Sequence, residues 1–427
     1  MYQEQVYKIK SYISKIEKEI YKEDLINLPR ILDGDPYKFI RQNLSLQYRR
    51  NNGCFFSNQK LATEVFKLAK DYMTPQSRIV DPACGLGDLL LMFAKKIGVR
   101  DNLNDTIKEW NKLLVGYDIQ EFFVKLTKIR MILLSKFLLK DNSIHNYNLL
   151  DLLTNIERYD SFNKHLNLNK EDIIVINPPF GSTKSTAFGE WGGGSLQKAA
   201  IFLEKIILSA PEGQNIIAIL PDVLRSGTRY DKWRTFVSNN TKIKKLVLYG
   251  KFDRYTNVDI FLIHLEKQNV NKNYTFNWNR VRNYLDIVGA HFEAKIGPVV
   301  PFRIRNNNRT TKYIKVKNAI PWREVQSFGK INFDGTIYRA PFVVIRRTSN
   351  PKDISRIVPT LVLKKGSYAV ENHLIILLPK DNSIQTCMAL IDRLKDIRTN
   401  IWFNKFIRCR HLTKKSILNL PWWNNDE

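Results

Sequence analysis

Asn177, Pro178, Pro179 and Phe180 directly follow four β-branched residues, Ile173 to Ile176. A short apolar run of this kind reads as a buried strand. The two prolines end it, because each fixes the backbone and lacks an N–H for the ladder. They also hold the Asn177 amide and the carbonyls around it in one outward pose, beside an aromatic ring. That combination is a rigid hydrogen-bonding site next to a flat apolar face. The same tetrapeptide also serves as a stiff strand-end turn that packs Phe180 into a core.

Two further stretches carry chemistry. In RIVDPACGLGDLL, residues 78–90, Asp81 ends a strand, Gly85 and Gly87 form the loop, and an apolar helix follows. Glycines allow close backbone approach to a ligand, and a helix start presents free N–H groups. The third glycine of a dinucleotide fingerprint is missing, which counts against a nicotinamide cofactor. No Gly-Lys-Ser/Thr follows, as a phosphate-binding loop requires. An ordinary tight strand–helix turn accounts for the same spacing. In VGYDI, Asp118 ends the next strand, where a carboxylate suits two ribose hydroxyls. It suits the cap of the following helix equally well. Asp118 comes 37 residues after Asp81, against about 20 in dinucleotide folds. The polar stretch GVRDNLNDTIKEWN is the candidate insertion.

The elements that position these residues alternate. LATEVFKLAKDYM, DLLLMFAKKI, EFFVKLTKIRMILLSKFL and LQKAAIFLEKIILSA read as helices. SRIVD, KLLVGYDI, DIIVI and NIIAILP read as the strands between them. This rhythm predicts an α/β fold, an open parallel sheet with helices on both faces. KIKKLVLYG and VDIFLIHLEK are close together and predict an antiparallel pair at one edge. Ile9, Ile13, Ile16 and Ile20 have helical spacing near the start of the chain. After about residue 270 come short strands, in APFVVIRRT, RIVPTLVL and NHLIILLP, and then a helix, SIQTCMALIDRLKDI.

The formal charge is +27, and residues 300–427 hold 24 Lys+Arg against 9 Asp+Glu, +15 of that excess. Concentrated positive charge points to a polyanionic partner such as nucleic acid. The four cysteines include no CxxC pair, which argues against a zinc site or a disulfide scaffold. No apolar run approaches membrane-spanning length, and the N-terminus has no signal-peptide pattern. The expectation is a cytoplasmic protein with no membrane partner and no metal.

DPACGLG and NPPF together resemble motifs I and IV of the S-adenosylmethionine-dependent N6-adenine DNA methyltransferases. Their order, cofactor motif first and recognition region last, is similar to the gamma-type arrangement. IIAILPDVLRSGTRYDKWR and GKFDRYTNVDIFLIHLEK are similar to stretches in type I modification subunits. The resemblance covers roughly residues 50–267. It implies a Rossmann-like methyltransferase sheet and S-adenosylmethionine as cofactor. It places Asp81, Pro82, Ala83, Cys84, Gly85, Gly87 and Asp118 on that cofactor. NGCFFSNQKLATEVF resembles the segment that covers the cofactor's methionine end, which adds Phe55, Phe56 and Ser57; Ser57-Asn58 stands where Thr-Pro is usual. Either Asn148 or Asp151, in NYNLLDLL, would meet the cofactor adenine. Asn177, Pro178, Pro179 and Phe180 would be catalytic.

Physical chemistry agrees with that assignment. An exocyclic amine is a poor nucleophile, since its lone pair is delocalised into the ring. Acceptors at the Asn177 oxygen and the Pro178 carbonyl can hold both amine hydrogens and favour the attacking tetrahedral nitrogen. Phe180 can stack on a base flipped from a duplex, which returns about 1–3 kcal/mol. Asn177 leans toward adenine over cytosine, whose methyltransferases more often carry Ser at that position. RNA or protein glutamine as acceptor, and a modification subunit that needs a specificity partner, are the alternatives.

The expected organisation is a helical segment at 1–50, a methyltransferase domain at 51–270 and a linker at 271–310. A smaller α+β DNA target-recognition domain at 311–427 completes it, with Arg346 and Arg347 as candidate DNA contacts. Double-stranded DNA and a cognate restriction endonuclease are the expected partners. The glycine-rich stretch 184–197 reads as a mobile loop beside the site or as a featureless surface loop.

Overall fold

The computed structural model describes the chain except residues 1, 23–25, 144–147, 185–190, 192–193, 254, 269–275, 302–309 and 424–427. Most of the glycine-rich stretch 184–197 therefore lies outside the described residues. The chain forms two compact units. The first takes Met1–Leu224 and Asp231–Phe276, and the second takes Arg225–Tyr230 and Asn277–Glu427.

The strands of the first unit are β1 (Ile79–Asp81), β2 (Leu114–Asp118), β3 (Ile156–Arg158), β4 (Ile173–Ile176), β5 (Ser182–Lys184), β6 (Ser195–Gln197), β7 (Asn215–Pro221), β8 (Thr241–Lys251) and β9 (Asp259–Lys267). Seven of them make one sheet in the order β3-β2-β1-β4-β7-β9-β8. The first five are mutually parallel, as the alternating pattern predicts. Every residue of β4 is buried, as a strand covered on both faces requires. The strand order reverses between β1 and β4. Ligands bind open α/β sheets at such a point, outside the carboxyl ends of the strands.

β8 and β9 are antiparallel as expected, but β9 inserts between β7 and β8. Burial explains the choice. Ile260 to Leu265 of β9 are all buried, whereas β8 exposes Lys242, Lys244 and Lys245 or leaves them at its rim. Only β8 tolerates the sheet edge. β3 had no counterpart in the sequence reading. It is three residues long and buries Ile156 alone, too little for a visible period.

The N-terminal residues pack within the first unit. Ile9, Ile13, Ile16 and Ile20 are all buried. The helix Glu121–Leu139 supplies two buried cations that bind this segment. Lys136 Nζ donates to the carbonyls of Ile20, Lys22 and Ser143 at 2.8, 3.3 and 3.0 Å. Arg130 donates to the carbonyls of Ile31 and Leu32 at 3.2 and 3.0 Å. The expected helical segment at 1–50 is thus part of a larger body.

The second unit begins before the expected recognition region and takes in the described part of the expected linker from Asn277 onward. Its strands are β10 (Phe292–Ile296), β11 (Thr310–Ile314), β12 (Gly329–Asn332), β13 (Tyr338–Arg339), β14 (Phe342–Arg346), β15 (Pro359–Val362), β16 (Ser367–Val370) and β17 (Leu374–Pro379). They form two sheets, β10-β17-β14-β15 and β12-β11-β16-β13. Alternation along β14 and β17 places the first sheet in the middle of this unit. Val343, Ile345, Ile375 and Leu377 pack with Leu390, Trp402 and Phe403 of the C-terminal helices. Phe342, Val344 and Ile376 pack with Tyr368 and Val370 of the other sheet.

Candidate active site

At the carboxyl ends of β1, β2, β3 and β4 lies a cavity of about 330 Å³, within the range of small-molecule sites. The residues named from sequence converge there from four elements. Asp81 and Asp118 end β1 and β2, Asn177 and Pro179 follow β4, and Phe55 to Ser57 come from the segment ahead of β1. Pro82, Ala83, Cys84 and Gly85 complete the glycine loop along its wall.

Gly85 has φ +54°, and a Cβ there would meet the Phe56 ring at 2.9 Å, so the loop and the covering segment touch only because no side chain intervenes. Gly53 is tighter still. Its φ is +66° and a Cβ would lie 2.0 Å from the Pro179 Cβ, so the covering segment rests directly on the Asn-Pro-Pro turn.

The electrostatics call for a ligand. Neither Asp81 nor Asp118 is ion-paired among the described residues. Asp118 accepts from Gly85 N at 3.0 Å through Oδ2 and from Gln120 N at 2.8 Å through Oδ1. Asp81 Oδ1 accepts from Ala83 N at 3.1 Å. Burial is the main cause that raises both, to about 8 for Asp81 and about 6 for Asp118, and their mutual repulsion adds to the effect on Asp81. Two buried carboxyls with no ion pair among the described residues suit a ligand with a positive charge and hydroxyl donors.

The Asn177 amide is oriented by one bond, from Nδ2 to the Phe55 carbonyl at 2.9 Å. Its Oδ1 is buried and has no partner among the described residues. A buried acceptor left unpaired is costly and uncommon. Phe55 and Phe180 lie nearly parallel, with centroids 6.4 Å apart and a 23° interplanar angle.

Five sequence-derived residues of the first unit stand off the cavity wall. Pro178 and Phe180 are buried beside it, and Gly87 holds the loop from behind against Thr127. Asn148 and Asp151 belong to the turn before β3, where Asn148 Oδ1 caps Leu150 N at 3.2 Å, and neither lines the cavity. Asp160 lines it instead, just after β3, together with Tyr159, Ser161 and Phe162. Its carboxylate accepts from the backbone of Phe162 and Asn163, which fixes that loop. An acidic residue and an aromatic after a strand are the signal, hidden because β3 itself was not legible.

Phe252 was also missed. It follows β8 on the same side of the sheet, is 1% exposed, and meets Phe180 edge-on at 5.3 Å. Asp253 holds its turn by accepting from Tyr255 N at 2.7 Å and from Tyr37 Oη at 2.5 Å. Arg41 stacks over Tyr255 at 3.3 Å. The N-terminal segment therefore supports the turn that carries Phe252. In the second unit, Arg346 gives Nη2 to the Ala319 carbonyl at 3.0 Å, while the Nε atoms of Arg346 and Arg347 are buried without partners.

A parallel sheet with a switch-point cavity and acidic strand ends defines an α/β domain for a small cationic or nucleoside-like ligand. The chain belongs to the N-6 DNA methylase family, whose model matches residues 31–283. It is 24% identical over 261 residues to the type I restriction enzyme MpnII methylase subunit of Mycoplasma pneumoniae. That match covers 57% of this chain and 45% of the relative, so the chain spans about half of that protein's length. Among solved structures it is similar to the type IIG restriction endonuclease BpuSI, at 13% identity and a TM-score of 0.44 over 91% of this chain and 61% of that one. It is also similar to the type I restriction-modification methyltransferase subunit of Streptococcus thermophilus, at 17% identity and a TM-score of 0.37 over 56% and 50% of the two chains. No described helix is long and apolar enough to cross a membrane, and no described cluster of His, Cys, Asp and Glu could hold a metal ion.

The raised Asp81 gives a pH prediction. Between about pH 4 and 8 the folded protein keeps a proton that the unfolded chain has lost, so stability falls as pH rises through that window. Asp81→Asn removes the penalty. Its Tm in the ligand-free state is expected to exceed wild type by several degrees at pH 7.5 and to match it near pH 4. Thermal melts across pH check this; equal Tm values at pH 7.5 contradict it.

Proposed function

We propose that this chain is a site-specific DNA methyltransferase that acts on the N6 amine of an adenine flipped out of a duplex. Its setting is a restriction–modification or related defence system. The observation that carries the reading is the buried Asn177 Oδ1 on the cavity wall, which has no partner among the described residues.

The residues present fit S-adenosylmethionine. Asp118 keeps a free lone pair on each oxygen for ribose hydroxyls. Asp81 would offset a cationic methionine end, and Asp160 would accept from the cofactor adenine, the role that the sequence assigned to Asn148 or Asp151. When bound, the cofactor supplies a methyl group on a sulfonium. The protein's part is then mainly alignment, for which positioning can supply about 7–11 kcal/mol. Asn177 Oδ1 and the Pro178 carbonyl accept the two amine hydrogens. The nitrogen gains positive charge as it attacks, so both acceptors bind it more strongly in the transition state than before it. Phe180 holds the base by its face, and Phe252 backs that ring.

Duplex DNA is favoured as acceptor by the family and by the +15 carried on residues 300–427. Arg346 and Arg347 are candidate base or phosphate contacts. A second reading, a modification subunit that acts with partner subunits, draws support from the relative's name and from the 45% coverage. The test offers the purified chain methyl-labelled S-adenosylmethionine with duplex DNA, RNA or total protein. Label on adenine in duplex DNA is the expected result. Label confined to RNA or protein contradicts the proposal, and label that appears only with added cognate subunits favours the second reading.

A further inference from the structure

The second unit holds three lysines whose placement its own packing leaves unbalanced. β11 and β12 are antiparallel, and the register puts Lys312 directly opposite Lys330. Like charges facing across a ladder destabilise it. In parallel register on the other side, Lys312 is opposite Tyr368 of β16. Lys312 Nζ lies 4.9 Å from the centroid of Phe328 and 5.5 Å from that of Tyr368. Lys364, in the turn between β15 and β16, brings its Nζ to 5.8 Å from the same Phe328 ring. Gly366 allows the approach, since a Cβ there would lie 3.0 Å from Lys312 Nζ. Two ammonium groups, of Lys312 and Lys364, thus sit against the Phe328 and Tyr368 rings, and Lys330 faces Lys312 across the ladder.

Among the described residues no carboxylate forms an ion pair with any of them. The described ion pairs of this unit are His291–Asp286, Lys295–Glu293, Lys395–Asp392 and Arg398–Asp396. Glu324 influences Tyr368 electrostatically but is in ion-pair contact with none of the three lysines. Lys330 and Lys364 are exposed, as is Lys365 beside them. A lysine on an edge strand such as β12 is ordinary protection against edge pairing. That accounts for Lys330 but not for Lys312 on an inner strand or Lys364 in a turn.

We infer that Lys312, Lys330 and Lys364 form a phosphate-gripping face for the backbone of duplex DNA. The inference rests on the proposed function and adds a surface to it. Phe328 and Tyr368 hold the Lys312 ammonium by cation–π contact, which fixes its position before DNA arrives. Contacts of this kind set register and affinity, not sequence. These lysines are distinct from Arg346 and Arg347, whose buried Nε atoms lie at and just after the end of β14.

The test uses the full chain and a random-sequence duplex, with anisotropy titrations from about 50 to 200 mM salt. Each lysine that releases a phosphate counterion contributes about 0.9 to the slope of log affinity against log salt. The triple variant K312Q/K330Q/K364Q is expected to flatten that slope by about 2–3 and to bind on the order of 10-fold or more weakly near 0.1 M salt. K364Q alone, an exposed change that leaves both sheets intact, should flatten it by about 1. Cofactor affinity by calorimetry should be unchanged in both. Wild-type slopes in both variants overturn the surface and leave the methyltransferase reading standing. A wild-type chain that binds no duplex at low salt overturns both.

Discussion

Asn177→Ala is expected to lower methyl transfer by at least about 10²–10³-fold, the usual loss when one preorganised polar group at a transition state is removed. Cofactor affinity is expected to stay near wild type. The asymmetry follows from geometry. Asn177 Oδ1 has no partner among the described residues, while Nδ2 is engaged with the Phe55 carbonyl. Alanine removes the acceptor for the amine and one tether of the covering segment. The Asp81 and Asp118 carboxyls and the Gly85 loop stay in place. A parallel loss of cofactor binding would mean that Asn177 mainly holds the Phe55 segment and not the acceptor base. Single-turnover rates and calorimetry on the same preparation separate the two.

Arg130→Ala is expected to destabilise the first unit by about 3–5 kcal/mol, as when one partner of a buried ion pair is deleted. Arg130 is 1% exposed and its guanidinium serves four acceptors. Nε and Nη2 bind the carbonyls of Ile31 and Leu32, Nη1 binds that of Leu86, and Nη2 also meets Asp88 Oδ1 at 3.0 Å. Leu86 and Asp88 flank Gly87 in the glycine loop, so one side chain ties the N-terminal segment to the cofactor-facing loop. The Tm should fall by roughly 10 °C. Cofactor affinity should fall with it, in contrast to Asn177→Ala. A Tm within a degree of wild type contradicts this role.

What the sequence made legible follows the strength of the local signals. Asp81, Asp118 and Asn177 stand at the ends of apolar strands, and the parallel sheet brings those ends together. Asp160 was not legible because β3 is three residues long with one buried side chain. Phe252 sits in a turn whose place depends on β9 inserting beside β7, which no local pattern encodes. Ser135 and Lys136 break an apolar run in the helix Glu121–Leu139, yet both are fully buried and bonded to carbonyls. Charge alone cannot show whether a lysine faces water or caps a distant chain segment. In the second unit, β14, β15 and β17 were visible as apolar runs. β11 and β12 were hidden by their polar composition, although they carry the lysine face.

The central claim is that this chain marks adenine in DNA through Asn177. Single-molecule sequencing of DNA from a methylation-free bacterial host that expresses the chain, beside the same host with Asn177→Ala, tests it most directly. Modified adenine within one recurring short motif is expected in the first host and none in the second. Modified adenine at the same motif in both would contradict the assignment of Asn177, and an unmarked genome in both would contradict a chain that acts on DNA by itself.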